Sequence, residues 1–354
     1  MACAWENKQR CVEVCLGDIS NYVYVGYESP DPDYSLIEVA KDLSGYSKIA
    51  LPGGIPGETL YSKRQKVYAI DYDTAPNPYT MSISRHDGAG SFVNVSGTPT
   101  GLGANDRTGV LYDDGNLRAV DINSSFNNSL YESDDGETWT VLSGSVTFAD
   151  SGVGIGNYIT FGSRIIGIRY GHLGGTGGIK RLAYSDDGGA TWVEGTGSLD
   201  SGGGSRQRSF VQSGSRLIVL ADNLYTSTDG ATWTYHTEIA DNFFATGSMV
   251  AADGTGKVVA TGQSGVTGLP GVAYSSNHGA SWTLKDWDVA GIGLPGGSSA
   301  FPYGLFWDGG QFVVFVERLD ISGTYQIFTS PTGATWTAGI IIPEIDVYPV
   351  QIID

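Results

Sequence analysis

One short, turn-forming phrase returns seven times along this chain, at intervals of 42 to 55 residues. The clearest form is SDDGGATW at residues 185–192. We call each copy a box; in chain order the boxes run over residues 29–36, 84–92, 133–139, 185–192, 227–233, 275–282 and 330–336, the first two being worn copies. A period near 50 residues along all 354 residues indicates a repeat architecture, because a unit of this size buries its core only against neighbouring units.

Each unit contains four short runs of apolar or alternating residues, joined by Gly-, Ser- and Asp-bearing connections. In the sixth unit, residues 244–252 and 257–262 flank the turn Asp253-Gly-Thr-Gly, and residues 271–275 and 282–285 flank the box. This pattern predicts two hairpins, with the box as the turn between the third and fourth strands. The third and fifth units repeat this plan, and in the first unit it places strands at residues 2–6, 10–17, 21–29 and 36–40. Seven such units predict an all-β fold, a seven-bladed β-propeller of four-stranded antiparallel blades. A solenoid would need polar capping units, and the first and last units are as apolar as the middle ones.

The repeat predicts a single domain over residues 1–354. Its expected blades span residues 1–42, 43–97, 98–146, 147–198, 199–239, 240–290 and 291–342. Residues 343–354 include a further apolar run, predicted as a strand that closes the ring by docking on the first blade or that reaches into a neighbouring molecule.

The phrase Ser-x-Asp-x-Gly-x-Thr-Trp resembles the Asp-box, or BNR repeat, of sialidases and many other β-propellers. In that family the box is a structural turn on the face opposite the active site. The residue types agree, since Ser and Asp bond backbone amides within turns, Gly takes backbone angles that other residues resist, and Trp packs between blades. The box residues expected to be structural, and neither catalytic nor metal-binding, are Ser133, Asp135, Trp139, Ser185, Asp187, Gly189, Trp192, Ser227, Asp229, Trp233, Ser275, Asn277, Gly279, Trp282, Ser330 and Trp336.

The sialidase activity itself finds little support in the residues. Sialidases grip a substrate carboxylate with three arginines, because guanidinium groups pair with carboxylates bidentately. The Arg-Ile-Pro phrase of that family is absent, and its nearest analogue, Gly54-Ile-Pro-Gly, has no arginine. The four histidines fall in unrelated units and form no Ser-His-Asp spacing. The chain is therefore predicted not to be an enzyme. A glycoside hydrolase stays open, because that chemistry needs only two carboxylates.

A ligand site is expected on the face opposite the boxes, which the longer loops build. These predicted loops span residues 42–58, 95–107, 172–179, 195–208, 263–270 and 285–302. Within or beside them, the candidate ligand-binding residues are Trp287, Tyr46, His172, Arg206 and Arg208.

The formal net charge of −18 argues against binding to nucleic acid or to anionic membranes, both of which need clustered Lys and Arg. The N-terminus has no basic region followed by an apolar run, so we expect no signal peptide and synthesis in the cytoplasm. Cys3, Cys11 and Cys15 are expected to be buried as small apolar residues. No metal-ligand spacing or cofactor motif emerges.

These observations predict a non-enzymatic propeller that acts as a structural or binding component of a larger assembly. Short boxes on an acidic, glycine-rich chain without a signal resemble those of bacteriophage virion proteins. That resemblance implies a tail- or capsid-associated protein that binds host-surface glycans or partner subunits. Two alternatives remain open: a sialidase-like or other glycoside hydrolase, and a cellular assembly factor or scaffold.

Overall fold

The fold is all-β, built from 28 strands in the described part of the chain. The computed structural model describes residues 21–27, 34–40, 42, 44–50, 60–63, 66–73, 80–86, 92–95, 109–113, 117–122, 128–135, 138–146, 153–171, 181–197, 209–220, 224–236, 239, 244–263, 270–286, 300–318, 324–343 and 346–347. Among these residues, no helix is both long enough and apolar enough to cross a membrane.

The strands are mostly four to nine residues long, as expected from the short apolar runs. In chain order they are β1 (Asn21–Tyr27), β2 (Tyr34–Ala40), β3 (Tyr46–Ala50), β4 (Leu60–Lys63), β5 (Lys66–Asp73), β6 (Thr80–His86), β7 (Phe92–Val95), β8 (Gly109–Asp113), β9 (Leu117–Ile122), β10 (Asn128–Ser133), β11 (Thr140–Val146), β12 (Val153–Phe161), β13 (Arg164–Gly171), β14 (Arg181–Ser185), β15 (Val193–Glu194), β16 (Ser209–Ser213), β17 (Arg216–Leu220), β18 (Leu224–Ser227), β19 (Thr234–Tyr235), β20 (Phe244–Ala252), β21 (Val258–Gln263), β22 (Pro270–Ser275), β23 (Thr283–Asp286), β24 (Ala300–Trp307), β25 (Phe312–Arg318), β26 (Thr324–Ser330), β27 (Thr337–Pro343) and β28 (Asp346–Val347).

Within the described residues, these strands pair into seven four-stranded antiparallel sheets. Sheet 1 has the order β28-β1-β2-β3, and sheets 2 to 7 are β4–β7, β8–β11, β12–β15, β16–β19, β20–β23 and β24–β27, each in chain order. The first strands of successive sheets, from β4 through β24, contact one another. The sheets are therefore arranged around these first strands, and the fourth strands lie at the outer edges.

The core lies between neighbouring sheets. Strand β17 is buried along most of its length, with Leu217 packed in one cluster with residues of sheet 4 and Ile218 in another with residues of sheet 6. Because successive side chains of a strand point to opposite faces, a middle strand covered on both sides carries apolar residues at every position. After Arg216 at its start, the strand continues as Leu217-Ile-Val-Leu, which satisfies that requirement.

The predicted four-strand pattern is confirmed for the units in which strands were assigned from the sequence, except the first. The sixth unit, for example, has strands at Phe244–Ala252, Val258–Gln263, Pro270–Ser275 and Thr283–Asp286, each within one residue of its prediction. In sheets 3 to 7 the box lies between the third and fourth strands. The worn box at residues 84–92 also joins a third strand, β6, to a fourth, β7.

The first unit was predicted wrongly. Residues 29–36 were assigned as its box and residues 36–40 as its fourth strand, but β1 and β2 are the second and third strands of sheet 1. The fourth strand is β3, which lies inside the predicted loop 42–58 and pairs with β2 from Ser35↔Ala50 to Val39↔Tyr46. The predicted strands at residues 2–6 and 10–17, and the three cysteines, lie outside the described residues.

Strand β28 supplies the first position of sheet 1. It pairs antiparallel with β1 through Gly26↔Val347 and Tyr27↔Asp346. Strands from near the two ends of the described chain thus pair in sheet 1. β28 takes the position that the first strand holds in the other sheets.

Candidate functional site

The box turns cover one end of the sheets, where the first and second strands are also joined. In sheet 6, the backbone N–H of His278 in the box donates to the carbonyl of Gly256 in the turn between β20 and β21, at 2.8 Å. These two kinds of turn therefore share one face of this sheet.

The box at residues 185–192 is held by its own side chains. The Ser185 hydroxyl accepts from the N–H of Gly189 at 2.7 Å and donates to Asp187 Oδ1 at 2.7 Å. Asp187 in turn accepts from the N–H and the hydroxyl of Thr191, at 2.8 and 2.6 Å. The hydrogen bonds from Thr191 and Ser185 lower the pKa of Asp187 to about 2. Both carboxylate oxygens are thus engaged inside the turn, as a structural role requires.

The box at residues 275–282 repeats this network with an amide. Asn277 Oδ1 accepts from the Ser275 hydroxyl at 2.8 Å and from the N–H of Ser281 at 3.0 Å. Its Nδ2 donates to the Ser281 hydroxyl at 2.9 Å. A neutral side chain therefore fills the position of Asp187, so the turn needs acceptor geometry rather than a charge.

The shorter boxes use bonds of the same kind. Asp229 Oδ1 accepts from the N–H groups of Thr232 and Ala231, at 2.7 and 2.8 Å, and the pKa of Asp229 falls to about 2, mainly through the bond from Thr232. The backbone N–H of Thr138 lowers the pKa of Asp135 in the same way. In the last box a threonine, Thr332, takes the acidic position, and Ser330 still accepts from the N–H of Gly333 at 2.7 Å.

Three of the box tryptophans pack against the preceding sheet. Trp233 belongs to a cluster with Leu182 of sheet 4, Trp282 packs on a cluster containing Ile218 of sheet 5, and Trp336 joins Val259 of sheet 6. In the boxes of sheets 4, 6 and 7 the indole N–H donates to the box glycine carbonyl at 3.0 Å. The boxes that contain Trp233, Trp282 and Trp336 are therefore part of interfaces between two sheets.

Trp233 departs from this pattern because the chain leaving sheet 4 crosses onto its box. Thr196 bridges in parallel to Thr232, with its N–H donating to Ala231 O at 2.8 Å and its carbonyl accepting from the N–H of Trp233 at 2.9 Å. The indole Nε1 of Trp233 is buried with no hydrogen-bond partner, and a side chain at Gly195 would collide with it. Residues 195–197, predicted as the start of a loop on the opposite face, instead join two sheets at the box face.

A second repeated position was missed in the sequence. Arg164 NH1 donates to the carbonyl of Asp229 in the next box at 2.6 Å, while its Nε pairs with Asp186 of its own box at 2.7 Å. Lys257 Nζ donates to the carbonyl of Pro331 in the next box at 3.1 Å. We call these contacts the cation clamps.

The cation clamps occupy one register position. In sheets 4, 5 and 6, the box serine pairs with a second-strand residue. The residue directly before that partner is Arg164, Arg216 and Lys257, respectively. The shared sequence signal is a basic residue followed by two apolar residues after the first turn, as in Arg164-Ile-Ile, Arg216-Leu-Ile and Lys257-Val-Val.

The fourth-strand turn of sheet 1 holds a degenerate copy of the box. Asp42 lies four residues before the aromatic Tyr46, the spacing that Asp229 has to Trp233. The N–H of Ser44 donates to Asp42 Oδ1 at 2.9 Å, and this interaction with Ser44 lowers the pKa of Asp42. The box pattern does not reveal this turn in the sequence, because alanine and lysine replace the usual Ser-x start.

The described structure includes only one of the five predicted ligand-binding residues, Tyr46, so their grouping stays a prediction. Trp287, His172, Arg206 and Arg208 lie outside the described residues, as do most of the predicted loops. Tyr46, expected in a loop, is the first residue of β3.

On the face opposite the boxes, the side chain of Arg318 at the end of β25 is buried and donates to Gln326 Oε1 at 2.7 Å. Among the described residues, no group of three or more His, Cys, Asp or Glu side chains is placed to hold a metal ion. The arrangement that the described part does show is a set of self-contained turns that fasten sheets to one another.

No protein-family model matches this sequence, and no curated protein matches it. Solved structures do resemble it. The GH74 enzyme of Niastella koreensis aligns over 90% of this chain at 18% identity with a TM-score of 0.55, and this chain spans 54% of that enzyme. The BP39L lectin of Burkholderia pseudomallei aligns over 84% of this chain and 88% of its own, at 13% identity and a TM-score of 0.55.

The β-propeller domain of the Trilobed protease from Pyrococcus furiosus, which has an open velcro topology, aligns over 94% of this chain and 95% of its own. Its sequence identity is 12% and its TM-score is 0.52. At such identities the likeness concerns the fold alone. Four-stranded antiparallel sheets gathered around their first strands, together with these structural neighbours, identify the chain as a β-propeller protein.

Proposed function

We propose that this protein is a non-enzymatic, seven-bladed β-propeller that serves as a rigid binding component of a larger assembly. It would bind glycans or partner subunits on the face opposite the box turns, and the box turns would be Asp-boxes. A virion setting, implied by the resemblance of the boxes to those of bacteriophage proteins, is part of this proposal.

The observation that carries the proposal is how the polar groups of the boxes are used. In the box at residues 185–192, the Asp187 carboxylate accepts three hydrogen bonds within the turn, and the adjacent Asp186 pairs with Arg164 of the same sheet. Arg164 in turn contacts the next box. Polar groups engaged in this way stabilise the ring rather than bind a ligand, which leaves the opposite face for recognition.

A glycan is the favoured small ligand. The lectin from Burkholderia pseudomallei is a propeller of similar fold, which supports carbohydrate recognition on this scaffold without fixing its specificity. The Niastella koreensis GH74 enzyme keeps glycoside hydrolysis as the second candidate. Two carboxylates about 5 to 9 Å apart on the loop face would be needed for that chemistry.

The test is a glycan-array screen on the purified full chain, with a panel of fluorogenic glycosides run on the same sample. We expect binding without turnover. Trp287→Ala should weaken binding at unchanged melting temperature, whereas Asp187→Ala should lower the melting temperature at unchanged affinity. Turnover of any glycoside would replace the proposal with the hydrolase. Loss of binding in Asp187→Ala at unchanged melting would place the site on the box face.

The blade number is supported by the seven described sheets and by the pairing of β28 with β1. Deleting residues 344–354 tests whether β28 closes the ring of its own molecule. We expect the monomer to lose thermal stability. If oligomers dissociate while the monomer melts unchanged, the strand instead docks on a neighbour.

A further inference from the structure

Arg216, on the box face of sheet 5, is a half-buried cation that the fold does not pair. Within the described residues its guanidinium forms no hydrogen bond, ion pair or ring contact. The basic residues at the same register position in the neighbouring sheets are both engaged, since Arg164 pairs with Asp186 and Lys257 donates to Pro331 O. A guanidinium that loses part of its water and gains no acceptor is unfavourable, so its partner is expected outside the fold.

The boxes on either side of Arg216 lack the acid that would pair with it. In sheet 4 the residue after the box serine is Asp186, which pairs with the second-strand arginine at 2.7 Å. The residue at that position is Thr228 in the box of sheet 5 and Ser276 in the box of sheet 6. The third position of the sheet 6 box is also neutral, because it is Asn277.

The carboxylates of the adjoining turns are already used. Asp229, in the box of sheet 5, accepts from the N–H of Thr232 at 2.7 Å. Asp253, in the turn between β20 and β21, accepts from the N–H of Lys257 at 2.9 Å. Each of these acids therefore stabilises its own turn, and within the described residues neither forms an ion pair with Arg216.

The side chain of Arg216 is directed toward sheet 6. Alternate residues of a strand share a face, and Ile218 packs in one cluster with Val250 of sheet 6. Arg216 also pairs across the first turn of its sheet with Ser213, whose hydroxyl lies 2.9 Å from Nδ1 of His278 in the box of sheet 6. Paired residues of an antiparallel ladder have their side chains on the same face, so Arg216 and His278 border one surface.

His278 adds a second donor to this surface. Its half-buried ring lies between two turns, because a Cβ at Gly214 or at Gly256 would meet ring nitrogens at 3.1 and 3.2 Å. When the Ser213 hydroxyl donates to Nδ1, the hydrogen of the neutral imidazole is on Nε2. Within the described residues Nε2 makes no hydrogen bond, so it is free to donate to a ligand.

This combination of donors suits an oxyanion. A guanidinium pairs with a carboxylate or a phosphate through two parallel N–H bonds, and the imidazole N–H supplies a further bond. The formal net charge of −18 repels anions over long distances. Binding must therefore come from local contacts with donors that no internal acid neutralises.

We propose that Arg216 and His278 form an oxyanion-binding site on the box face, where sheets 5 and 6 meet. Its ligand is a carboxylate or a phosphate group. The site is separate from the recognition proposed for the opposite face, so the two proposals are tested independently.

The test is a titration of the full chain with sodium phosphate and, separately, with sodium acetate, at constant ionic strength and near neutral pH. NMR spectra follow the arginine Nε–Hε signals, and the spectrum of Arg216→Gln identifies the signal of Arg216. We expect this signal to shift and saturate with at least one of the two anions. Saturation by phosphate or by acetate then identifies the kind of oxyanion that the site takes.

Two variants should weaken the site, with the imidazole signal of His278 reporting the affinity. Arg216→Gln removes the charge, and we expect it to weaken binding about tenfold. Thr228→Asp gives Arg216 the neighbouring acid that Arg164 has in Asp186, so it should weaken binding to a similar extent. An acid at this box position is compatible with folding, because the box of sheet 4 carries one.

Matched controls separate the site from general effects of charge and structure. Arg164→Gln removes the same residue type from the same register position in sheet 4, where the arginine is already paired. Thr228→Asn changes the same residue as Thr228→Asp without adding charge. Both controls should bind the anion as the wild type does.

Three outcomes would overturn the site and leave the proposed function intact. These are signals that shift without saturating in both titrations, unchanged affinity in Arg216→Gln, and an equal loss of affinity in Arg164→Gln. Far-UV circular dichroism verifies folding of each variant. If Arg216→Gln does not fold, the comparison of Thr228→Asp with Thr228→Asn decides, and equal affinities of those two variants would overturn the site.

Discussion

The imidazole Nδ1 of His278 lies 2.9 Å from the hydroxyl of Ser213, so a box in sheet 6 is tied to the end of the first strand of sheet 5. His278 holds a left-handed backbone angle, with φ of 57°, at the position that Gly188 occupies in the box of sheet 4. A histidine at this position carries backbone strain but gains a contact between two sheets.

Replacing His278 separates these two effects. His278→Gly loses the hydrogen bond to Ser213 but relieves the strain, so we expect nearly unchanged stability. His278→Ala loses the bond and keeps the strain, so it should be less stable than His278→Gly by about 1 kcal/mol. Urea unfolding measures both. Equal stability of the two variants would show that the backbone angle carries no cost.

The box carboxylates predict a specific response to acid. The pKa values of Asp187 and Asp229 fall from 3.8 to about 2, because their hydrogen bonds favour the ionised form. The stability they contribute is fully present above about pH 4, the unfolded pKa, and is lost as the pH falls through 2. We expect the melting temperature to drop across that window.

The double variant Asp187→Asn, Asp229→Asn provides the control for acid unfolding. Asn277 shows that an amide maintains the same turn, so this protein should stay folded near neutral pH. Its melting temperature should decline less between pH 4 and pH 2 than that of the wild type. An equal decline would assign the acid sensitivity to other carboxylates.

The cation clamps predict an effect of residue type. Arg164→Lys should keep the contact with Asp229 O, as Lys257 does with Pro331 O, and lose only the pairing with the exposed Asp186. Arg164→Met should lose both contacts and be less stable than Arg164→Lys. Chemical unfolding of the two variants distinguishes these effects. Equal destabilisation by Arg164→Lys and Arg164→Met would mean that the contact with Asp229 O adds no stability beyond the exposed ion pair with Asp186.

Two glycines with nearly the same backbone angle separate strain from packing. Gly188 and Gly333 have φ of 75° and 77°, but a Cβ at Gly188 meets no atom within 4 Å, whereas one at Gly333 would overlap the Val259 side chain of the preceding sheet. Gly188→Ala should therefore cost only the strain of the angle, about 1 kcal/mol.

Gly333→Ala should cost about 1 to 3 kcal/mol more than Gly188→Ala, because the core between sheets 6 and 7 must also make room. Thermal unfolding checks the order of the two variants. Equal losses of stability in the two variants would show that the core between sheets 6 and 7 accommodates the added methyl group without cost.

The repeated turn was enough to predict the strands because each box demands Ser, Gly and Trp at fixed spacing. The box was misplaced in the first unit because the turn there keeps only Asp42 and the aromatic Tyr46. Residues 29–36, which are rich in Pro and Asp, matched the box pattern better. The cation clamps were missed because one basic residue per sheet is an ordinary surface pattern until the next box is placed beside it.

Strand bulges, such as the one at Gly156 in the pairing of β12 with β13, could not be predicted for a related reason. One extra residue in a strand leaves its composition unchanged, and only the pairing partner reveals it. The predicted ligand residues Trp287 and His172 lie in connections whose sequences are rich in glycine and serine and lack a repeated turn motif. Local rules therefore identify those connections as loops but give no geometry for a site.

The pairing of Gly26 with Val347 has a consequence for the order of folding. Strand β1 is translated early, yet the partner on its free edge is about 320 residues away along the chain, so closing that gap carries a large entropic cost and comes late. Until residue 347 has left the ribosome, the inner edge of β1 remains open to other strand edges. The growing chain is most exposed to misassociation at the site that finally joins its two ends.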